Sequence, residues 1–282
     1  MTHPGVLLKR EKLFAGKEMG QNFLSDPGTA HMIVQRTGIT AESKVLEIGP
    51  GLGALTRHIC RITPDLTVVE KDSRIIPLLK EELEGEVNKV QILNQDILKT
   101  DIPEIAQGKE MVVISNLPYN ISSQILFRLI KHRSLISRAY LMFQKELAER
   151  IMAGPGSKSY SRLSAVAQYA AKIQHVAEIK PAAFFPRPDV DSTVVSFEFF
   201  QDRELSEETE DLLFSVIKAA FSKRRKTLKN SMSGGEMGWK KPMVGQALEA
   251  AGIQPERRAE TLTVEEFKAL TLAIEPLIEA SA

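Results

Sequence analysis

The chain has 282 residues, a net charge of +1 and a single cysteine, Cys60. This length exceeds that of a typical single domain, so we expect two domains; one cysteine excludes an internal disulfide, and a near-neutral net charge argues against a protein that is basic throughout. The five histidines show no metal-ligand spacing, which predicts a metal-free protein. No apolar run is as long as a membrane span, and the leader lacks the apolar centre of a signal peptide, so we predict a cytoplasmic protein.

After a basic leader, the chain alternates helices with short buried strands. Asp26 followed by Pro27 is typical of a helix start, and Gly38 of its end. The strands predicted next cover 44–48, 66–70, 90–96, 111–116 and 138–143, and the helices 53–61, 72–83, a segment from Ser122 or Ser123, 145–152 and 162–171. This alternation predicts a parallel sheet, to which strands at 173–179 and 193–199 add an antiparallel edge.

The C-terminal part shows only helical periodicity, at 209–221, 243–251 and 264–278. We therefore predict an α/β domain over residues 1–203 and a small all-helical domain over 204–282. The charge changes sign near this boundary, because residues 202–211 hold six acids and one base whereas 218–241 hold eight bases and one acid. The second stretch is suited to contact phosphates.

A glycine turn follows the first strand of the sheet, with Gly49, Gly51 and Gly53. Glycines there let a ligand approach the backbone closely, which favours a nucleoside site. The spacing is shared by nicotinamide-dinucleotide enzymes and methyltransferases, so the glycines alone leave both open. Glu47, just before the turn, would repel a pyrophosphate but suits the ammonium group of S-adenosylmethionine, directly or through water. This acid favours the sulfonium cofactor.

Two more acids end the next strands of the predicted sheet. Glu70 lies where a carboxylate accepts the ribose hydroxyls of a bound nucleoside, and Asp96 is a candidate partner for the amine of the cofactor adenine. Because the carboxyl ends of parallel strands share one edge of a sheet, Glu47, Glu70 and Asp96 are expected to form one site.

Residues 116–119, Asn-Leu-Pro-Tyr, come directly after the apolar strand at 111–114. The Asn116 amide offers one acceptor oxygen and two donor hydrogens. Pro118 stiffens the turn and pushes Leu117 toward extended geometry, which presents main-chain carbonyls, and Tyr119 can stack on a base. A capped turn would use the same residues, so the motif alone leaves both interpretations open.

Four segments in this order resemble the ribosomal small-subunit RNA adenine dimethyltransferases. They are GQNFLSD at 20–26, EIGPGLG at 47–53, NLPYNIS at 116–122 and PAAFFPRPDVDS at 181–192, and the resemblance extends through 223–231 to 258–260. It implies a class I methyltransferase fold, a Rossmann-like doubly wound sheet with a helical C-terminal domain. It also implies that two adjacent adenosines in the 3′-terminal hairpin loop of 16S RNA become dimethyladenosines during maturation of the 30S subunit.

The resemblance and the residue chemistry together give three candidate sets. The cofactor set for S-adenosylmethionine is Gln21, Asn22, Leu24, Glu47, Gly49, Gly51, Glu70, Asp96 and Asn116. The catalytic set is Asn116, Leu117, Pro118, Tyr119 and Phe184, in which two carbonyls accept the amine hydrogens and two rings hold the extruded base. The RNA-binding set, expected on a basic helix, is Lys223, Arg224, Arg225, Lys226 and Lys229, with Arg187 and the leader bases Lys9, Arg10, Lys12 and Lys17 as further candidates.

Three other functions compete with this interpretation. A macrolide-resistance methyltransferase would share the sheet and modify an adenine of large-subunit RNA, but the segments at 181–192 and 223–231 favour the small-subunit enzyme. A ribosome-assembly checkpoint would depend on binding more than on chemistry. A dinucleotide dehydrogenase is disfavoured, because this sequence has no candidate acid/base histidine next to the site. We expect a monomer that acts on 16S RNA in the 30S subunit or its precursor and does not bind a membrane.

Overall fold

The computed structural model describes residues 2–13, 21–86 and 89–280, which form two compact units. The first unit comprises Met1–Ala148 with Ala171–Gln201, and the second comprises Glu149–Ala170 with Asp202–Ala282. Residues 149–170, which we expected in the α/β domain, thus group with the C-terminal helices. The assignment of separate functions to residues 1–203 and 204–282 stays a prediction.

The first unit is built on a mixed sheet, which in the described residues has seven strands in the order β4-β3-β2-β5-β6-β9-β7. The strands are β2 (Lys44–Ile48), β3 (Leu66–Glu70), β4 (Val90–Asn94), β5 (Met111–Asn116), β6 (Ile136–Gln144), β7 (Ala171–Ile179) and β9 (Ser192–Phe199). The five neighbouring strands β4, β3, β2, β5 and β6 run parallel to one another, and β9 pairs antiparallel with both β6 and β7. The predicted parallel sheet with an antiparallel edge is confirmed.

A second, two-stranded sheet joins β1 (Phe23–Leu24) to β8 (Phe184–Phe185). The pairing is antiparallel, with Phe23 opposite Phe185 and Leu24 opposite Phe184. It ties residues 23–24 to the proline-rich segment before β9.

The helices of the first unit follow local signals in the sequence. They are α1 (Pro4–Arg10), α2 (Pro27–Thr37), α3 (Thr56–Ile59), α4 (Ile76–Glu82), α5 (Ile102–Ala106), α6 (Ser122–Lys131) and the start of α7 (Lys145–Met152). The Asp26 carboxylate accepts from the Thr29 amide at 2.7 Å, and Gly38 ends the helix with a φ of +63°. Helix α2 therefore begins and ends where the sequence indicates.

The core of the first unit comes from strands that are buried along their whole length. All five residues of β2 and of β3 are buried, which is typical of parallel strands that are covered on both faces. Helices α2, α3 and α4 contribute Ile33, Ile59 and Leu79 to the same cluster. Two acids of these strands, Glu47 and Glu70, lie at or next to the carboxyl ends, where the candidate site lies.

The second unit is helical. It contains α8 (Arg162–Ala170), α9 (Glu207–Ala220), α10 (Leu228–Met232), α11 (Lys241–Ala250) and α12 (Val264–Glu279). Helix α12 starts with a capping box between Thr263 and Glu266, and its Phe267, Leu270 and Ile274 are fully buried. Within the described ranges of both units, no helix is both long and apolar enough to cross a membrane.

Candidate active site

A cavity of about 310 Å³ opens in the first unit where β2, β3 and β5 end. All nine residues of the predicted cofactor set line it, and so do residues 116–119. The structure therefore brings the glycine turn, the three acids and the Asn-Leu-Pro-Tyr turn to one site, as expected for the carboxyl edge of a doubly wound sheet.

The glycine turn has no room for side chains at two positions. Gly51 has a φ of +54°, and a Cβ atom there would lie 3.0 Å from Cδ1 of Phe23. Gly53 has a φ of +82°, and its Cβ would lie 2.9 Å from Cδ1 of Leu79. The turn is thus packed between β1 and α4, and its backbone remains open toward the cavity.

Main-chain amides hold the carboxylate of Glu70. Its Oε1 accepts from the Asp72 amide at 2.8 Å and its Oε2 from the Gly51 amide at 3.3 Å. Burial raises the pKa of Glu70, and the two amides oppose this shift. Each oxygen keeps a further lone pair, so the fixed carboxylate is suited to accept the hydroxyls of a ribose.

Glu47 is the most deeply buried acid of the site, with only 1% of its surface exposed. Among the described residues, no donor is bonded to its Oε2. Burial raises the pKa of Glu47 to about 8; the nearby Thr56 lowers it in part, and the charge of Glu70 raises it further. The acid is therefore protonated at neutral pH unless a cation enters the cavity.

Asp96 follows β4, which ends two residues earlier than we predicted, at Asn94. Its Oδ1 accepts from the Leu98 amide at 3.0 Å, and its Oδ2 lies 2.9 Å from Nζ of Lys71. Lys71 holds the pKa of Asp96 below its usual value. Since the lysine side chain is 61% exposed, this ion pair is weak and can open to admit a ligand.

The Asn116 amide has a fixed orientation at the end of β5. Its Nδ2 lies 2.9 Å from the main-chain carbonyl oxygen of Asn22, which can only accept a hydrogen bond. The NH2 group must therefore face Asn22, and Oδ1 is the atom that remains as an acceptor for a ligand in the cavity. The sequence did not indicate this role for the backbone of Asn22.

The rest of the Asn-Leu-Pro-Tyr turn supplies a carbonyl and a ring. The Pro118 carbonyl accepts from the Ile121 amide at 3.3 Å, which leaves its second lone pair for another donor. The Tyr119 hydroxyl lies 2.9 Å from Oγ of Ser192. Burial raises the pKa of the Tyr119 phenol, so the ring is neutral at physiological pH.

Phe184 does not line the cavity. Its ring is 4% exposed and packs in the core, because Phe184 pairs with Leu24 on the inner face of the two-stranded sheet. The alternation of β8 turns Phe185 outward instead, where it contacts the His3 ring with centroids 5.3 Å apart. Phe184 is therefore absent from the cavity wall that Tyr119 lines, and base stacking by Phe184 stays a prediction.

The basic cluster lies in the second unit, mostly on a loop. Residues 223–226 form turns between α9 and α10, and only Lys229 is helical, so the expectation of a basic helix is wrong for four of the five residues. Arg224 donates to the Lys158 carbonyl at 2.7 Å, and within the described chain no carboxylate pairs with Lys223, Arg225 or Lys226. These three exposed cations are available to a polyanion.

The remaining basic candidates differ in their surroundings. Arg10 bonds to Glu11 and Glu81, which reduces its capacity to bind phosphate, whereas Arg187 is exposed. Lys9 and Lys12 are exposed as well, and Lys17 lies outside the described residues. Phe23 and Lys71 are among the cavity-wall residues that sequence reasoning missed. Lys71 could have been found from its place directly after Glu70.

Comparisons with known proteins agree with this geometry. The family model for ribosomal RNA adenine dimethylase matches residues 14–273. The ribosomal RNA small subunit methyltransferase A of Desulforapulum autotrophicum is 53% identical over 275 residues, which cover 97% of each chain. The protein of the same name from Alkaliphilus metalliredigens is 38% identical over 270 residues, 94% of each chain.

Solved structures show the same relationship. The crystal structure of a dimethyladenosine transferase from Plasmodium falciparum matches with a TM-score of 0.77 and 30% identity, over 90% of this chain and 98% of that one. The 23S rRNA methyltransferase ErmE matches with a TM-score of 0.67 and 24% identity, over 90% and 99%, which shows a shared fold. The predicted Rossmann-like methyltransferase fold is confirmed, and so is the prediction of an enzyme that dimethylates adenine in ribosomal RNA, because the chain belongs to the ribosomal RNA adenine dimethylase family.

Proposed function

We propose that this protein transfers methyl groups from S-adenosylmethionine to the exocyclic amines of two adjacent adenosines in the 3′-terminal hairpin loop of 16S RNA. It acts in the cytoplasm, as a monomer, on the 30S subunit or its precursor. The observation that carries the proposal is the shared cavity, in which an available Asn116 Oδ1 lies at the same sheet edge as the acids Glu47 and Glu70.

The residues of the cavity fit the cofactor. The amide-held Glu70 carboxylate suits the ribose, and the buried Glu47 oxygen without a partner suits a positive group. Asp96 accepts a hydrogen bond from the adenine amine of the cofactor once Lys71 moves aside, which the exposed ion pair supports. When bound there, S-adenosylmethionine supplies a methyl group already activated by its sulfonium.

The chain's own task is then to align the target amine. The lone pair of an adenine amine is delocalised into the ring, so the amine is a poor nucleophile in its planar form. The Asn116 Oδ1 and the Pro118 carbonyl accept its two hydrogens, which favours a pyramidal nitrogen with a localised lone pair. Tyr119 stacks on the base, and this interaction of about 1–3 kcal/mol offsets much of the cost of extruding it.

The test of this function is primer extension on 30S subunits that lack the modification. Treatment with the protein and S-adenosylmethionine should produce stops at two adjacent adenosines near the 3′ end of 16S RNA. Naked 23S RNA is the comparison substrate, since the macrolide-resistance alternative predicts methyl incorporation there instead. Incorporation into 23S RNA without stops on 30S subunits would contradict the proposal.

Reversal of the free charges in the basic loop should weaken RNA binding. We expect the triple variant Lys223→Glu, Arg225→Glu, Lys226→Glu to bind 30S subunits at least tenfold more weakly, and to lower the slope of log K against log salt by roughly 2, because about 0.7 counterion is released per phosphate contact. Filter binding at several salt concentrations measures both quantities.

A control variant should separate a local role from a change in overall charge. Lys80→Glu, Lys99→Glu, Lys172→Glu carries the same charge change on exposed lysines of the first unit. If the control and the loop variant lose affinity equally, the loop is not the binding surface.

A further inference from the structure

We propose that Ser192 is a positioning residue for the base clamp, and that its hydroxyl holds the ring of Tyr119 in the plane that stacks on the target adenine. This inference rests on the proposed function of Tyr119. It gives a role to Ser192, the last residue of the proline-rich segment at 181–192, to which no part of the reaction has been assigned.

The position of Ser192 is fixed by the sheet. It is the first residue of β9, and it pairs with Gln144 of β6 on one side and with Ile179 of β7 on the other. Its side chain is fully buried. A hydroxyl that is anchored between two strands has little freedom, so it is a rigid partner for a hydrogen bond.

The residue before Ser192 is held as firmly. The main-chain carbonyl of Asp191 accepts from the Lys145 amide at 2.9 Å, and the side-chain carboxylate of Asp191 lies 2.7 Å from Nζ of Lys180. The chain therefore enters β9 along a defined path, and the Ser192 hydroxyl is directed to one place.

Tyr119, in contrast, lies on the turn between β5 and α6. Its main-chain carbonyl accepts from Oγ of Ser122 at 3.1 Å, which fixes the backbone end of the residue. The bond of 2.9 Å between its hydroxyl and Ser192 fixes the far end of the ring. Held at both ends, the ring keeps its orientation before the base arrives, and less entropy is lost on stacking.

A double-mutant cycle tests the assignment. Ser192→Ala and Tyr119→Phe should each lower kcat/KM for 30S subunits by about fivefold, the effect expected from one neutral hydrogen bond. The double variant should show about the same fivefold loss rather than roughly 25-fold, because both changes remove one bond. The affinity of Ser192→Ala for S-adenosylmethionine should equal that of the wild type, since Ser192 does not line the cavity.

The control is Ser196→Ala, four residues further along β9, whose hydroxyl donates to the Gln174 carbonyl at 3.4 Å. It should leave kcat/KM unchanged. A Ser192→Ala loss that persists in full in the Tyr119→Phe background would show a folding defect and overturn the assignment, as would no loss at all. Tyr119→Ala separates the two proposals: if it keeps full activity, the stacking role of Tyr119 fails; if it loses activity while Ser192→Ala does not, only the role of Ser192 fails.

Discussion

Asn116→Ala should lower kcat/KM for methylation of 30S subunits by about 10³-fold, the scale measured when one preorganised polar group is removed from an active site. The amide of Asn116 faces the Asn22 carbonyl with its NH2 group, and its Oδ1 is thereby left as an acceptor at the cavity. Alanine removes that acceptor, so the amine stays planar and its lone pair stays delocalised. Steady-state methyl transfer from labelled cofactor measures the loss.

The reason for the loss can be checked with Asn116→Asp. This variant keeps the shape and an oxygen acceptor, but it replaces the NH2 group with a carboxylate oxygen 2.9 Å from a carbonyl oxygen. The repulsion should turn the side chain, so we expect a loss almost as large as that of alanine.

The matched control is Ser115→Ala, one residue earlier on β5. The Ser115 hydroxyl donates to the Ile48 carbonyl across the sheet at 2.6 Å and does not line the cavity. This variant should lower the melting temperature and keep kcat/KM within about threefold of wild type. Wild-type activity in Asn116→Ala would show that the side-chain oxygen is not used to align the amine.

The sheet and the cavity could be predicted because both follow from short-range patterns. Strands such as β2 and β3 are short and mainly apolar, and each ends in an acid or in the glycine turn. Parallel strands place those ends together whatever the details of packing, so Glu47, Glu70 and Asn116 were expected to lie at one site. Helix α2 was equally accessible, since its cap residues act locally.

The features that the sequence did not show depend on pairing over long distances. Strands β1 and β8 have two residues each, too few for any periodicity, and they meet only because distant segments fold together. Their register buries Phe184, the ring that the motif put forward, and exposes Phe185. The bond between Tyr119 and Ser192 has the same origin.

Glu47→Gln should stabilise the protein and weaken its cofactor site. The pKa of Glu47 is about 8 in the folded protein and 4.5 in the unfolded chain, so at neutral pH folding requires the acid to take up a proton. The folded state binds more protons between these two values, and the free energy of unfolding therefore falls as pH rises from about 4.5 to 8. Glutamine removes this penalty, which is on the order of 3 kcal/mol at pH 7.

Thermal unfolding of the wild type and of Glu47→Gln across pH measures the difference. The two proteins should be nearly equal in stability near pH 4.5, and the variant should gain on the wild type up to about pH 8. Glu110→Gln, at an exposed position of the first unit, removes the same charge and should follow the wild-type curve. A variant less stable than wild type at pH 7 would show that Glu47 is ionised in the folded protein.

Glu47→Gln should lower the affinity for S-adenosylmethionine, although it raises the stability of the protein. A cation bound beside Glu47 favours the carboxylate, so the wild type releases a proton on binding, and its affinity for S-adenosylmethionine should rise with pH up to about 8. Glu47→Gln has no proton to release at this position, so its affinity should not show this rise with pH. Its affinity for S-adenosylmethionine should also be about 10- to 100-fold lower than that of the wild type. Calorimetry in two buffers of different ionisation enthalpy counts the proton directly. Equal proton release by both proteins would place the titrating group elsewhere, with Glu70 the next acid in the cavity wall to test by the same substitution.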